Sequence, residues 1–170
     1  HHNVAVGYGA LDANTTGAYN VAFGKHALGA NTTAHYNAAF GRNSLGANTT
    51  GTYNSAFGYA SMETMTTGAN NTGIGPYALY SNTTGGNNTA VGYDALRANT
   101  TASNNVAVGY QALDACTTGN GITAIGRIAA GSLTTGVYVV SVGYNNGTGI
   151  TTGTNIFTMG YDCLSGTTTG

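Results

Sequence analysis

Apolar and polar positions alternate over only four residues before a glycine interrupts them, and the same pattern returns every 17 residues without insertion or deletion. Copies open at positions 3, 20, 37, 54, 71, 88, 105, 122, 139 and 156, and the phrase reads N-[VTSA]-A-[VFI]-G-Y-x-A-L-x-A-N-T-T-G-x-[YN]. Slot numbers below count positions within this phrase. A fixed period of this length means that each copy is one coil stacked on its neighbour. Slots 1 to 4 alternate in the manner of a strand, and slot 5 is Gly in every copy, from Gly7 to Gly160, where it ends the strand. Slot 4 is always large and apolar (Val6, Phe23, Phe40, Phe57, Ile74), so it is expected to be the most buried slot, with slot 2 on the same face. The pair at slots 8 and 9, mostly Ala-Leu, adds a second inward group, and Thr-Thr followed by Gly or Ala reads as a second short strand and turn. A helical reading fails because Gly, at 28 of 170 residues, would cost a helix about 1 kcal/mol each. The expected fold is all-β: a parallel β-solenoid, or β-roll, of ten 17-residue coils, forming a single array over residues 1–170.

A coil this short encloses little, so stability must come from stacking between coils. Slot 12 offers an asparagine ladder (Asn14, Asn31, Asn48, Asn82, Asn99) that is expected outside the coil, and slot 17 offers a tyrosine column. Slot 3 is never larger than Thr although it faces away from slots 2 and 4. Its alanines, Ala5, Ala22, Ala39, Ala56, Ala90, Ala107 and Ala124, fit either a chain–chain contact about a shared axis or a tight interior corner within one coil. His1-His2 occupy slots 16 and 17 of a preceding copy and Gly170 occupies slot 15, so joining the ends continues the repeat in register. The expectation is a slice of a longer array, continuing covalently or head to tail as a filament of roughly 48 Å per ten coils. A tag remnant is the other reading of His1-His2.

The phrases Asn54-Ser-Ala-Phe-Gly58, Asn3-Val-Ala-Val-Gly7 and Asn88-Thr-Ala-Val-Gly92 resemble the head repeat of trimeric autotransporter adhesins. The longer Asn88-Thr-Ala-Val-Gly-Tyr-Asp-Ala-Leu-Arg-Ala-Asn-Thr-Thr101 and Asn105-Val-Ala-Val-Gly-Tyr-Gln-Ala-Leu113 are similar to repeat regions of phage and bacterial tail-fibre-like proteins. The resemblance covers all ten copies. It implies a left-handed, oligomeric roll, with a trimer favoured, serving as a fibre shaft or surface adhesin in an extracellular or virion appendage. The coil is longer than that of the adhesin heads, and copies 8 to 10 drift, with Leu133 and Ile150 replacing the slot 12 Asn.

Composition narrows the function. Charged residues are 5% of the chain, with Lys and Arg totalling 4 and Asp and Glu 5, so no field exists to steer nucleic acid. No run approaches the roughly 18 apolar residues of a membrane span. The acids Asp12, Glu63, Asp94, Asp114 and Asp162 fall in slots 7 and 10 of coils read as far apart. No relay accompanies His26 or His35, so no enzyme, metal or cofactor is expected. Cys116 and Cys163 stand three coils apart, about 14 Å, too far for a disulfide. Lys25 and Arg42 fall between Tyr8 and Tyr59 in the slot 6 column, which predicts cation–π stacking. The expected function is a structural fibre segment whose partner is itself. The alternative is a carbohydrate-binding adhesin module that stacks surface glycans on the strip Tyr19, Tyr36 and Tyr53, and a minor alternative is ice binding through the Thr-Thr files. Sequons at Asn14, Asn31, Asn48, Asn70, Asn82, Asn87, Asn99 and Asn146 are candidate glycosylation sites.

Overall fold

A computed structural model describes residues 2–166. Ten three-residue strands, β1 (Val4–Val6), β2 (Val21–Phe23), β3 (Ala38–Phe40), β4 (Ser55–Phe57), β5 (Thr72–Ile74), β6 (Thr89–Val91), β7 (Val106–Val108), β8 (Thr123–Ile125), β9 (Val140–Val142) and β10 (Phe157–Met159), form one parallel sheet in chain order. Each residue pairs with its equivalent one period on: Val4 with Val21, Ala22 with Ala39, Phe40 with Phe57. The chain is the β-solenoid that the period predicts. The last Thr-Thr pair, Thr168-Thr169, lies outside the described residues.

Each coil turns by means of four left-handed backbone positions. Slot 5 glycines hold φ from 127° to 142°, and slots 7, 9 and 17 sit near 50–69° even where the residue is Leu28, His26 or Tyr36. Glycine at slot 5 is obligatory for a second reason: a Cβ on Gly7 would lie 2.6 Å from the Gly24 carbonyl oxygen in the next coil. Left-handed leucine costs about 1–2 kcal/mol in isolation. It persists here because it turns slot 9 inward beside slot 8, so that the consecutive residues Ala27 and Leu28 are both buried. A strand, which alternates faces, could not do that.

The strand faces are the reverse of those expected from side-chain bulk. Slot 3 points inward: Ala22, Ala39, Ala56, Ala90, Ala107 and Ala124 have 0% exposure, so they are core residues and not a chain–chain contact. Ala5, in the edge strand β1, is exposed. Slot 4 points outward, with Phe23 at 53%, Phe40 at 36% and Ile74 at 43%. The physical reason is width. Ser44 and Ser61 at slot 8 donate to the Ala56 and Gly73 carbonyls at 3.1 and 3.0 Å, placing the opposite wall against the strand. A Cβ on Gly73 would already meet Met62 Cε at 3.0 Å. The gap admits a methyl group and excludes a phenyl ring.

The interior is partly polar, and both asparagine rows are inside. Slot 1 asparagines, Asn20 to Asn105, accept a backbone N–H from the next coil, as Asn37 N donates to Asn20 Oδ1 at 3.0 Å. They also donate to the slot 15 carbonyl of their own coil, as Asn20 Nδ2 does to Ala34 O at 2.8 Å. Slot 12 asparagines reach the same carbonyl and each other, Asn31 Nδ2 donating to Asn14 Oδ1 at 2.9 Å. The slot 12 ladder breaks at Met65 and Cys116, and Asn48 Oδ1 and Asn99 Oδ1, the acceptors facing those breaks, are buried without a donor. In copies 8 and 9 both rows become apolar together (Ile122 with Leu133, Val139 with Ile150), all buried. In copies 4 and 7 slot 12 alone is apolar, Met65 and Cys116 standing beside Asn54 and Asn105, which still donate to the Gly68 and Gly119 carbonyls.

Two expectations follow, each checked by chemical denaturation. Ala56→Val should cost about 1–3 kcal/mol by overpacking, while Phe40→Ala should cost well under the roughly 3–5 kcal/mol of a core phenylalanine. Met65→Asn should be more stable than Met65→Ala by about 1–3 kcal/mol, because the new amide supplies the donor that Asn48 Oδ1 lacks and accepts from Asn82. Cys116→Asn should show no such advantage, since its own oxygen would then face Leu133.

Candidate functional surfaces

All nine charged side chains of the chain fall in slots 6, 7 and 10, so the solenoid carries its entire formal charge along one edge, next to the outward face of the sheet. Tyrosines on that edge hold the cations. Lys25 Nζ lies 5.7 Å from the Tyr8 ring and the Arg42 guanidinium 5.8 Å from Tyr59, as their position between these tyrosines in slot 6 predicts. Arg97 lies over both Tyr77 and Tyr80, and Arg127 lies over Tyr110 and Tyr144 while donating to the Tyr144 hydroxyl at 2.9 Å. These contacts are structural in character, since each cation is already engaged by a ring of its own chain.

Glycines at slot 10 of two successive coils, Gly29 and Gly46, open a trough of 470 Å³ between the side chains of Asp12 and Glu63. His26 and Asn43 line its flank, Asn43 Nδ2 donating to Glu63 Oε1 at 3.0 Å. His26 meets the edge of Tyr8, its ring centroid 5.3 Å away at 84°. The trough gathers hydrogen-bonding groups and no nucleophile–base relay. Among the described residues no cluster of three or more His, Cys, Asp or Glu could hold a metal ion, and no helix is long and apolar enough to cross a membrane.

Two acids read as isolated in the sequence are neighbours in the structure. Asp94 at slot 7 and Asp114 at slot 10 belong to consecutive copies and so to adjacent coils, and those two slots flank the same corner. Burial pushes the Asp114 carboxyl above the ordinary carboxylate range; the Asp94 charge adds to this, while the Asp114 and Ala115 backbone amides and Arg97 oppose it. Asp94 is buried, and its Oδ1 stands 3.3 Å from Arg97 Nε without hydrogen-bond geometry, so the pair is a charge contact only.

The tyrosine strip is present as a column. The Tyr19, Tyr36 and Tyr53 rings stack 5.0 Å apart within 5° of parallel, and His2 caps the column at 5.0 Å from Tyr19. Their faces therefore cover one another, and edges and hydroxyls are what the column shows to solvent, which is a poor platform for sugar rings. The slot 13 threonines donate to the backbone of the next coil, as Thr32 Oγ1 does to Thr49 O at 3.2 Å, leaving slot 14 as the exposed file. Of the sequon asparagines, Asn31, Asn48, Asn82, Asn99 and Asn146 are buried, with side-chain amides donating inside the fold; Asn14 is half-buried, and Asn70 and Asn87 are exposed. Both cysteines are free, Cys116 being buried with its thiol pushed up by desolvation.

The outward rows of the sheet, slots 2 and 4, form a surface that side-chain bulk assigned to the core. The signal for it is the strict smallness of slot 3 beside an inward Ala-Leu pair, which together fill the coil. No protein-family model, curated protein or solved structure matches the chain.

The carboxyl of Asp114 sets a pH test. Its folded pKa is raised, so the charged form weakens the fold above that pKa, and the penalty disappears as pH falls below the unfolded value near 3.9. Asp114→Asn should therefore raise Tm at neutral pH and leave it unchanged well below the carboxylate range, as read by circular dichroism.

Proposed function

We propose that this chain is a shaft segment of a fibre, built to set length and to associate with copies of itself, in an extracellular or virion appendage. The observation that carries this reading is the single ten-strand sheet, in which every 17 residues add one strand in unbroken register. In such an array length is a linear function of copy number, at about 4.8 Å per coil. The tail-fibre-like character of the phrases Asn88–Thr101 and Asn105–Leu113 supports the same reading. So does the distribution of chemistry: charge is confined to one edge, and its cations are engaged by tyrosines.

The test is an image. Negative-stain electron microscopy should show rods, and a tandem fusion joining Gly170 to His1 in phase should double rod length, from roughly 48 to 96 Å, at unchanged width. Compact particles whose long dimension does not grow with copy number would overturn the shaft reading.

A further inference from the structure

Among the described residues, none covers the outward face of β1–β10. Its slot 4 row, including Phe23, Phe40, Phe57, Ile74 and Ile125, is 36–53% exposed in these five positions, and slot 2 beside it is apolar or a small hydroxyl residue in every copy. Neither row contains a charge. Nine strand spacings make the face about 43 Å long, and two outward rows make it about 12 Å wide, so each copy offers about 500 Å² and a pair buries about 1,000 Å². That reaches the lower bound, about 1,000 Å², at which a specific interface forms. Side chains standing at strand spacing along this length interlock best with rows of the same spacing, which a second copy of this chain possesses.

The sizes along the two rows determine how the copies meet. In coils 3 to 9 a large slot 4 goes with a small slot 2: Phe40 with Ala38, Phe57 with Ser55, Ile74 with Thr72. Where slot 4 shrinks, slot 2 keeps its size or grows, as in Val91 with Thr89 and Val108 with Val106. If two faces are related by rotation about an axis parallel to the solenoid, strand directions reverse and slot 4 of each coil lies opposite slot 2 of the partner's same coil. Phe40 then faces Ala38 and Phe57 faces Ser55, and the gap between sheets is even over coils 3 to 9, while Phe23 meets Val21 in coil 2. If the solenoids instead run in opposite directions, slot 4 faces slot 4 at any axial offset. The phenylalanines would then hold the sheets apart over a void along Ala38 and Ser55, at the cost that unfilled space carries.

We propose that the slot 2 and slot 4 rows of β1–β10 pack against the same rows of a second copy, parallel and matched coil for coil, slot 4 against slot 2. This deepens the shaft reading and rests on it, since parallel copies extend a shaft in one direction. The charged edge lies just outside the contact, where its ions stay solvated at the rim.

Oxidative cross-linking tests the register in chains carrying Cys163→Ser, with Cys116 left buried. A mixture of Thr89→Cys and Val91→Cys chains should yield a disulfide-linked heterodimer, whereas a mixture of Ile74→Cys and Val91→Cys chains should not. Sedimentation should give a mass of at least two chains, and Val108→Glu should reduce it to one chain without changing circular dichroism or rod length. A monomeric wild-type rod, or cross-linking of Ile74→Cys to Val91→Cys in place of the predicted pair, would overturn the interface and leave the shaft reading standing. Compact particles under the microscope would overturn both.

Discussion

The gap between the strand and the opposite wall of each coil is one methyl group wide, and the rest of the molecule is arranged around that constraint. Slot 3 must be alanine or close to it, because Ser44, Ser61 and Met62 already occupy the far side. With so little apolar volume per coil, no single coil could hold itself closed. The interior is completed by the coils before and after it, which is why backbone pairing advances by one period at every strand.

Closing a 17-residue loop around so narrow a space requires sharp corners, and the four left-handed positions per coil supply them. Their local cost is offset by what they orient. The corner at slots 7 and 9 turns Leu28 and its equivalents inward, and the corner at slot 17 places the chain so that the slot 1 asparagine reaches back to the slot 15 carbonyl. Asparagine suits that position because its amide both donates and accepts, joining a coil to itself and to its neighbour with one side chain. The apolar substitutions at Ile122, Leu133, Val139 and Ile150 show that the same space can be filled instead of bonded, and Met65 and Cys116 show that slot 12 can change alone.

Because the interior is filled by small and medium side chains, the large ones are left outside. Phe23, Phe40 and Phe57 stack along the outer face, the tyrosines stack at slot 17 or shelter the cations, and the charges gather on one edge. The three sides of the coil are thus chemically distinct: an apolar sheet, a charged edge with its trough, and a neutral side of Thr, Asn and Tyr. Such a division fits a building element that has one face for its own kind and another for water.

The 17-residue period, the glycine at slot 5 and the inward Ala-Leu pair at slots 8 and 9 were enough to determine a parallel solenoid of ten coils, since register without slippage is itself a stacking instruction. The cation–π pairs of Lys25 and Arg42 were legible for the same reason: a fixed slot puts the side chains of consecutive copies into neighbouring coils. What the sequence could not decide was which side of the strand is inside. Slots 3 and 4 are both apolar, alternation is symmetric with respect to the two faces, and bulk pointed to Phe40 when the space available fitted Ala39. The slot 12 asparagine row was misplaced by the same logic, because a polar side chain is buried only when the backbone around it supplies partners, and those partners exist only once the coil has closed. The adjacency of Asp94 and Asp114 was legible, since they stand in the consecutive copies that open at 88 and 105, and reading those coils as far apart was an error. What the corner adds is that slots 7 and 10 of successive coils come close enough for their charges to interact. Period and composition act along the chain, where the sequence can be read directly; inside and outside are properties of a closed coil, and only the tertiary structure decides them.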